Sequence, residues 1–258
     1  MLKTIFIVAL VIYICVLFPL DFKEKEHFNT EKPEIVHLFW TGGYDSTFRL
    51  CQALIDENKV VQPYYMIAKV DNCKKCKFER QNRAKELETM NKVMNYLKKK
   101  YPVKSKNLKK LKLIKHIPAN SYITNTFYNL KLHNYRRRYN QYEAMCRYAN
   151  ANNKMMEVGT VGIFGQGDGK RPNDGWGTYL RNNLVNNKGY FSVIDPKSPI
   201  HNLRFPVVFI SKKDMLTIAK RNGYEDVVRL SWSCWFPQNG KPCKKCLMCI
   251  DRVIPQVV

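Results

Sequence analysis

An α/β fold, built as a parallel sheet with helices on both faces and extended by a small cysteine-bearing C-terminal region, is what this sequence predicts. Three observations carry the prediction. Apolar, β-branched runs of strand length alternate with charged segments of helical periodicity. A glycine pair, Gly42-Gly43, separates the first such run from the first such helix. The last four cysteines stand beyond this alternation. Strands joined through helices pair in parallel and are covered on both sides, because each crossover lays a helix on a face.

The elements follow in order. Residues 35–40 form an apolar run entering the glycine pair, and Phe48, Leu50, Cys51, Leu54 and Ile55 fall largely at helical spacing between Ser46 and Asn58. A second β-branched run covers 60–70. A long charged helix over 78–100 sets Leu87, Met90, Val93, Met94 and Leu97 on one face. The basic stretch 98–115 ends in a strand over 111–117. A helix over 135–152, a strand over 156–164 and a helix over 212–222, stopped by Gly223, complete the pattern. Between Gly165 and Gly177 lies a polar, glycine-rich loop, longer than a turn needs and suited to binding a substrate. No internal repeat is present.

Composition narrows the function classes. The chain has 258 residues, with 44 Lys+Arg against 21 Asp+Glu for a net charge of +23, and is 45% hydrophobic. That supplies a full core and excludes a disordered chain. Twelve Gly and twelve Pro exclude collagen-like and low-complexity classes, and nine Cys are too few for a disulfide scaffold. The positive charge suits anionic small molecules, nucleic acid or an anionic membrane.

Residues 4–20 carry no charged side chain, at the short end of the ~17–25 residues a membrane span requires. They are expected to be an uncleaved N-terminal membrane anchor, with a cleaved signal peptide as the rival. The expected organisation is an anchor over 1–20, a charged linker over 21–33, an α/β domain over 34–230 and a cysteine-bearing region over 231–258. Reduced thiols would put the α/β domain on the cytosolic side.

The first chemical motif is Trp40-Thr-Gly-Gly-Tyr-Asp-Ser-Thr47. Glycines there let the backbone approach an anion, and helix-start N–H groups with the hydroxyls of Thr41, Ser46 and Thr47 suit a phosphate. It lacks the lysine of the kinase and GTPase phosphate loop. A ligand-free alternative is a strand-to-helix turn capped by Asp45 or Ser46. The second motif is Cys234-x8-Cys243-x2-Cys246-x2-Cys249. Four thiolates close a tetrahedral Zn²⁺ shell and leave no open position, so the zinc is expected to be structural. Lys241, Lys244 and Lys245 would offset its net negative charge. An iron–sulfur cluster or a disulfide pair are the rivals.

The first motif resembles the S-G-G-x-D-S loop of the ATP-pyrophosphatase (PP-loop) superfamily, with Thr41 in place of the usual first serine. This resemblance implies an adenine nucleotide alpha hydrolase-like fold. It also implies that Thr41, Gly42, Gly43, Asp45, Ser46 and Thr47 hold the ATP phosphates, with Asp45 and Ser46 nearest the chemistry and Asp45 orienting Mg²⁺ or the phosphates. The C-terminal stretch from Phe205-Pro206 through Ser231-Trp-Ser-Cys234 to Arg252 resembles the end of 7-cyano-7-deazaguanine synthase. What that resemblance implies is a ligase that adenylates 7-carboxy-7-deazaguanine with ATP, adds ammonia, and dehydrates the amide to a nitrile for queuosine-type biosynthesis.

The middle of the chain departs from that family's pattern. Val70-Asp-Asn-Cys-Lys-Lys-Cys76 stands where an aspartate–tyrosine–glycine–glutamine stretch is usual, leaving Asp71 and the helix that holds Arg83 and Glu86. In the 165–177 loop, Asp168 or Asp174 is a candidate for substrate contact. Cys73 and Cys76 are open to a redox, sulfur-carrying or second-metal role, or to being two free thiols. Two other readings therefore stand beside the synthase: a tRNA-thiolating enzyme using Cys73 or Cys76, and a non-catalytic, zinc-stapled RNA- or membrane-binding protein. His37 is expected to pack in or beside the first strand, and Tyr135-Arg-Arg-Arg-Tyr139 to form a basic helix face able to meet RNA.

Overall fold

A computed structural model describes residues 34–67, 82–129, 141–160, 180, 183–187, 190–193, 195–246 and 248–249. The chain runs β1 (Ile35–Phe39), α1 (Tyr44–Cys51), a π turn (Gln52–Asp56), β2 (Val60–Met66), α2 (Arg83–Lys100), a 3-10 turn (Lys104–Asn107), β3 (Lys112–Ile114), α3 (Ser121–Asn129) and α4 (Gln141–Ala151). It continues through β4 (Met156–Val158), β5 (Val185–Asn187), β6 (Tyr190–Ser192), β7 (Leu203–Arg204), α5 (Lys212–Arg221) and α6 (Glu225–Arg229). The described residues all fall within one compact unit, Pro33–Val258.

Seven strands form one sheet in the order β3-β2-β1-β4-β7-β6-β5. β1 pairs in parallel with β2 and β4, β2 with β3, and β4 with β7. Strand alternation sends Val36, Leu38 and Trp40 to one face, where they meet Phe48 of α1, Met90 and Leu97 of α2, Met215 of α5 and Val227 of α6. Phe39 and Tyr64 turn to the other face, against Ile123 and Phe127 of α3 and Met145 and Ala149 of α4. The expected α/β class, with helices on both faces, is what the chain adopts. The sheet adds an antiparallel margin, β5-β6-β7, that the alternation of elements did not foretell.

Several expected boundaries shift. The first helix begins at Tyr44 and changes to a π turn at Gln52; the strand expected over 60–70 ends at Met66. The long helix begins at Arg83, after the turn residue Asn82, and residues 78–81 of the expected helix lie outside the described residues. The strand expected over 111–117 narrows to Lys112–Ile114. Also outside the described residues are 68–70, Asp71, Cys73, Cys76, 135–140 with the Tyr135–Tyr139 motif, 161–164, and the 165–177 loop with Asp168 and Asp174. His37 sits half-buried in β1 as expected, its Nδ1 3.3 Å from the Tyr64 hydroxyl, and burial with nearby Lys154 and Lys112 lowers its pKa.

The expected membrane anchoring is corrected. Among the described residues no helix is long and apolar enough to cross a membrane. The apolar segment 4–20 and the linker 21–33 lie outside the described residues, so no anchoring segment is shown.

Two features tie the strands to their neighbours. Arg49 of α1 is almost fully buried and grips Glu157 of β4 through two bonds, Nε to Oε2 at 2.6 Å and Nη2 to Oε1 at 3.1 Å. Its Nη1 also donates to Gln52 Oε1 at 2.9 Å, and Glu57 closes the cluster. These carboxylates hold the guanidinium pKa above its ordinary value despite burial. The second feature is Pro63, within β2. Trp40 N–H bonds to Tyr64 O on the β1 side, and Lys109 N–H bonds to Val61 O on the opposite side. Pro63 thus faces the β3 side without an N–H to offer. Pairing with that edge lapses accordingly, between the Val61–Leu108 bridge and the Tyr64–Lys112 pair. Gln62 fills the gap by donating to Lys110 O at 2.8 Å.

Candidate active site and metal centre

Strand order reverses at β1: β2 and β3 lie to one side, β4 and β7 to the other. The carboxyl ends of β1 and β4 therefore mark the switch point, the usual ligand position in open α/β sheets. The 41–47 motif lies there. Gly42 adopts φ +70°, a conformation costly for residues with a Cβ, and a Cβ there would meet Met90 Cγ at 3.1 Å and the Glu86 carbonyl oxygen at 3.3 Å. α2 can pack so closely on the loop only because residue 42 is glycine.

Within the loop, Thr41 Oγ1 accepts from Gly43 N–H at 3.4 Å and Ser46 Oγ donates to Gly43 O at 3.3 Å. The helix ladder starts with Thr47 N–H to Gly43 O at 2.9 Å. The amides of Tyr44, Asp45 and Ser46 consequently belong to the first turn of α1. Such a turn favours an anion by geometry and by its dipole. Thr47 is fully buried and its hydroxyl accepts the Trp40 indole N–H at 3.1 Å, which holds the loop against β1. On the β4 side Gly159 touches the loop backbone: a Cβ at 159 would lie 2.6 Å from Ser46 Cα.

One side chain that the sequence reading missed is Lys212. It is buried at the start of α5, with Nζ 3.7 Å from Asp45 Oδ1. A lysine in the first turn of a helix opposes the dipole, and burial adds to the cost. The sequence signal was present but indirect: Ser211 caps α5 by accepting from Asp214 N–H at 3.0 Å, which fixes Lys212 as the first helical residue. A buried cation beside a half-buried carboxylate at the mouth of an anion-favouring turn is suited to receive a phosphate.

The cysteine region is bound to this loop. Trp232 N–H donates to Gly42 O at 2.8 Å, and its indole donates to Cys234 O at 2.9 Å. Asn82 also donates to Cys234 O, at 3.0 Å, and to Glu86 Oε1 at 3.0 Å, while Tyr65 donates to the other Glu86 oxygen. A single polar strand of contacts thus joins β2, α2, the 41–47 loop and the first cysteine.

Beyond Cys234, Asn239 and Gly240 take φ +49° and +73° in a tight turn closed by the Gln238–Lys241 bridge, bringing Cys243 back to Cys234. Lys244 takes φ +57°, reversing the chain between Cys243 and Cys246. The ligand atoms of Cys234, Cys243, Cys246 and Cys249 all lie within 4.8 Å of one another, with Cys243 and Cys249 Sγ 3.9 Å apart. Zinc–sulfur bonds of about 2.3 Å give tetrahedral edges of about 3.8 Å, so the four thiols fit Zn²⁺. Backbone N–H groups point at sulfur, Cys243 N–H to Cys234 Sγ at 3.2 Å and Cys246 N–H to Cys243 Sγ at 3.3 Å. The N–H of Lys245 and its neighbours draw the Cys243 pKa down to about 6, whereas burial pushes Cys249 up to about 12. The cysteines are free of disulfides, and their full thiol set leaves no position for a reacting water.

Chelation of zinc is expected to lower Tm by at least about 5 °C, some 2 kcal/mol at roughly 2–4 °C per kcal/mol. It should also open the C-terminal region to protease. An unchanged Tm and digestion pattern would contradict a structural metal.

Fold and site together place a glycine loop at the carboxyl end of β1 beside four cysteines spaced to hold a metal ion. Residues 186–254 match the family described as Queuosine biosynthesis protein QueC. The resemblance to the 7-cyano-7-deazaguanine synthase family therefore holds over this C-terminal stretch, which contains Lys212, Trp232 and all four knuckle cysteines. No curated protein and no solved structure matches the chain.

Proposed function

We propose that this protein is an ATP-dependent carbon–nitrogen ligase of the 7-cyano-7-deazaguanine synthase type. The observation that supports it best is the hydrogen bond from Trp232 N–H to Gly42 O, because it connects the family-matched segment directly to the phosphate loop. In this reading residues 34–230 bind ATP and 231–258 form the zinc-stabilised region. The amides around Gly43, the hydroxyls of Thr41 and Ser46, and Lys212 hold the phosphates; Thr47 and Gly42 fix the loop. Mg²⁺ arriving with ATP would be carried by Asp45 and would offset charge on the leaving pyrophosphate. The carboxylate of 7-carboxy-7-deazaguanine attacks the α-phosphorus and pyrophosphate departs. Ammonia then displaces AMP to leave the amide; a second ATP adenylates the amide oxygen with loss of pyrophosphate, and departure of AMP with two protons from nitrogen leaves the nitrile. The chain's contribution is positioning and charge stabilisation.

Lys212→Met tests the phosphate assignment. Loss of a charged hydrogen bond is worth about 1.5–3 kcal/mol, so ATP affinity by calorimetry should fall about 10- to 100-fold while the fold persists. Asp45→Ala should bind ATP yet form no AMP. Unaltered affinity in Lys212→Met would remove that residue from the site.

A further inference from the structure

Between residues 98 and 115 the chain has nine lysines and no acidic residue. The structure lays this run from the end of α2 through the 3-10 turn and along β3, which among the described residues is the outermost strand and has β2 as its one neighbour in the sheet. The lapse in pairing opposite Pro63 occurs where Lys109 and Lys110 lie, and both are exposed, as are Lys106, Lys112 and Lys115. Lys100 is balanced by Asp226, whereas the ion pairs among the described residues include none of Lys106, Lys109, Lys110 or Lys115. One or two lysines are enough to guard an edge strand from pairing with another chain. A row of like charges repels itself, and an anion laid along it relieves that repulsion.

The row has a direction. β3 runs parallel to β2 and β2 to β1, so Lys115 and His116 emerge at the same end of the sheet as the phosphate loop. Two strand spacings of about 4.8 Å put that end roughly 10 Å to the side of β1. The next element, α3, carries Tyr122 and Tyr128 at 57% and 75% exposure. Cations along a line followed by exposed flat rings match the requirements of a single nucleic-acid strand, whose phosphates are spaced along a line and whose bases stack. A membrane surface is planar and rewards cations spread across a face.

We propose that the β3 edge binds a single-stranded polynucleotide, with phosphates along Lys106, Lys109, Lys110, Lys112 and Lys115 and bases against Tyr122 and Tyr128. The interaction is separate from the ligase reading and stands or falls without it.

The test is fluorescence anisotropy of the full chain with end-labelled oligoribonucleotides and oligodeoxyribonucleotides of about 16 nucleotides, titrated with salt. Replacing Lys109, Lys110, Lys112 and Lys115 together by Gln should weaken binding at least about tenfold and flatten the log–log salt slope by about 3, at ~0.7 per lost phosphate contact. A control with Lys92, Lys213, Lys220 and Arg221 changed to Gln carries the same charge loss and should bind like wild type. Tyr128→Ala should lose about fivefold or more, the lower range of one stacked base. The ratio of the two oligonucleotide affinities identifies RNA or DNA as the strand held. Equal weakening in the edge and control variants would overturn the proposal. So would absence of oligonucleotide binding at low salt, or binding to phosphatidylserine vesicles in its place.

Discussion

Gly159→Ala is expected to cost about 1–3 kcal/mol of stability and about 100-fold in ATP-dependent turnover. The added methyl carbon would stand 2.6 Å from Ser46 Cα, 2.9 Å from Ser46 N and 3.1 Å from Asp45 C. All three are backbone atoms of the first turn of α1, so no side-chain rotation relieves the contact. Either β4 or the phosphate loop must move, and β4 is held by parallel pairing to β1 and β7. The loop is the part that yields, and a displacement near 1 Å at a reacting centre accounts for the loss. Urea denaturation and kcat/KM for ATP would measure the two effects; wild-type values in both would show that Gly159 does not brace the loop.

Arg49→Met is the second large effect, at about 3–5 kcal/mol by denaturant unfolding, because it leaves Glu157 buried without its cation. Glu157 is 3% exposed and accepts two of the Arg49 bonds from its place on β4. Met keeps the packing volume near that of the arginine stem, so the loss reports the charge. The double variant Arg49→Met with Glu157→Met should recover much of it, since a buried pair replaced by apolar groups is often neutral. A loss below about 1 kcal/mol in the single variant would show that the cluster is solvated in solution.

What the sequence disclosed was local. The strand, glycine pair and helix around Gly42 are contiguous, and cysteines with two-residue spacings specify their own geometry, so the turn and the cysteine cluster were both legible. α3 was not, although Asn120 caps it through Ile123 N–H at 3.0 Å. Its Ser-Tyr-Ile-Thr-Asn-Thr-Phe-Tyr-Asn sequence is rich in poor helix formers, and the helix forms because Ile123 and Phe127, four apart, reach the core. β5, β6 and β7 are two or three residues long and are created by pairing with one another and with β4. Lys212 and Asp45 are 167 positions apart, and Arg49 and Glu157 are 108; neither pair leaves a mark in local spacing. Residues 4–20 read as an anchor on hydropathy alone, which reports composition and not structure.

The most direct test of the ligase reading incubates the full chain, zinc-loaded, with α-labelled ATP, Mg²⁺, ammonium and 7-carboxy-7-deazaguanine, and follows products by chromatography and mass spectrometry. The account predicts AMP matched by amide or nitrile, both lost in Asp45→Ala. AMP formed only when tRNA is supplied, or no AMP from folded protein with the acid present, would contradict it.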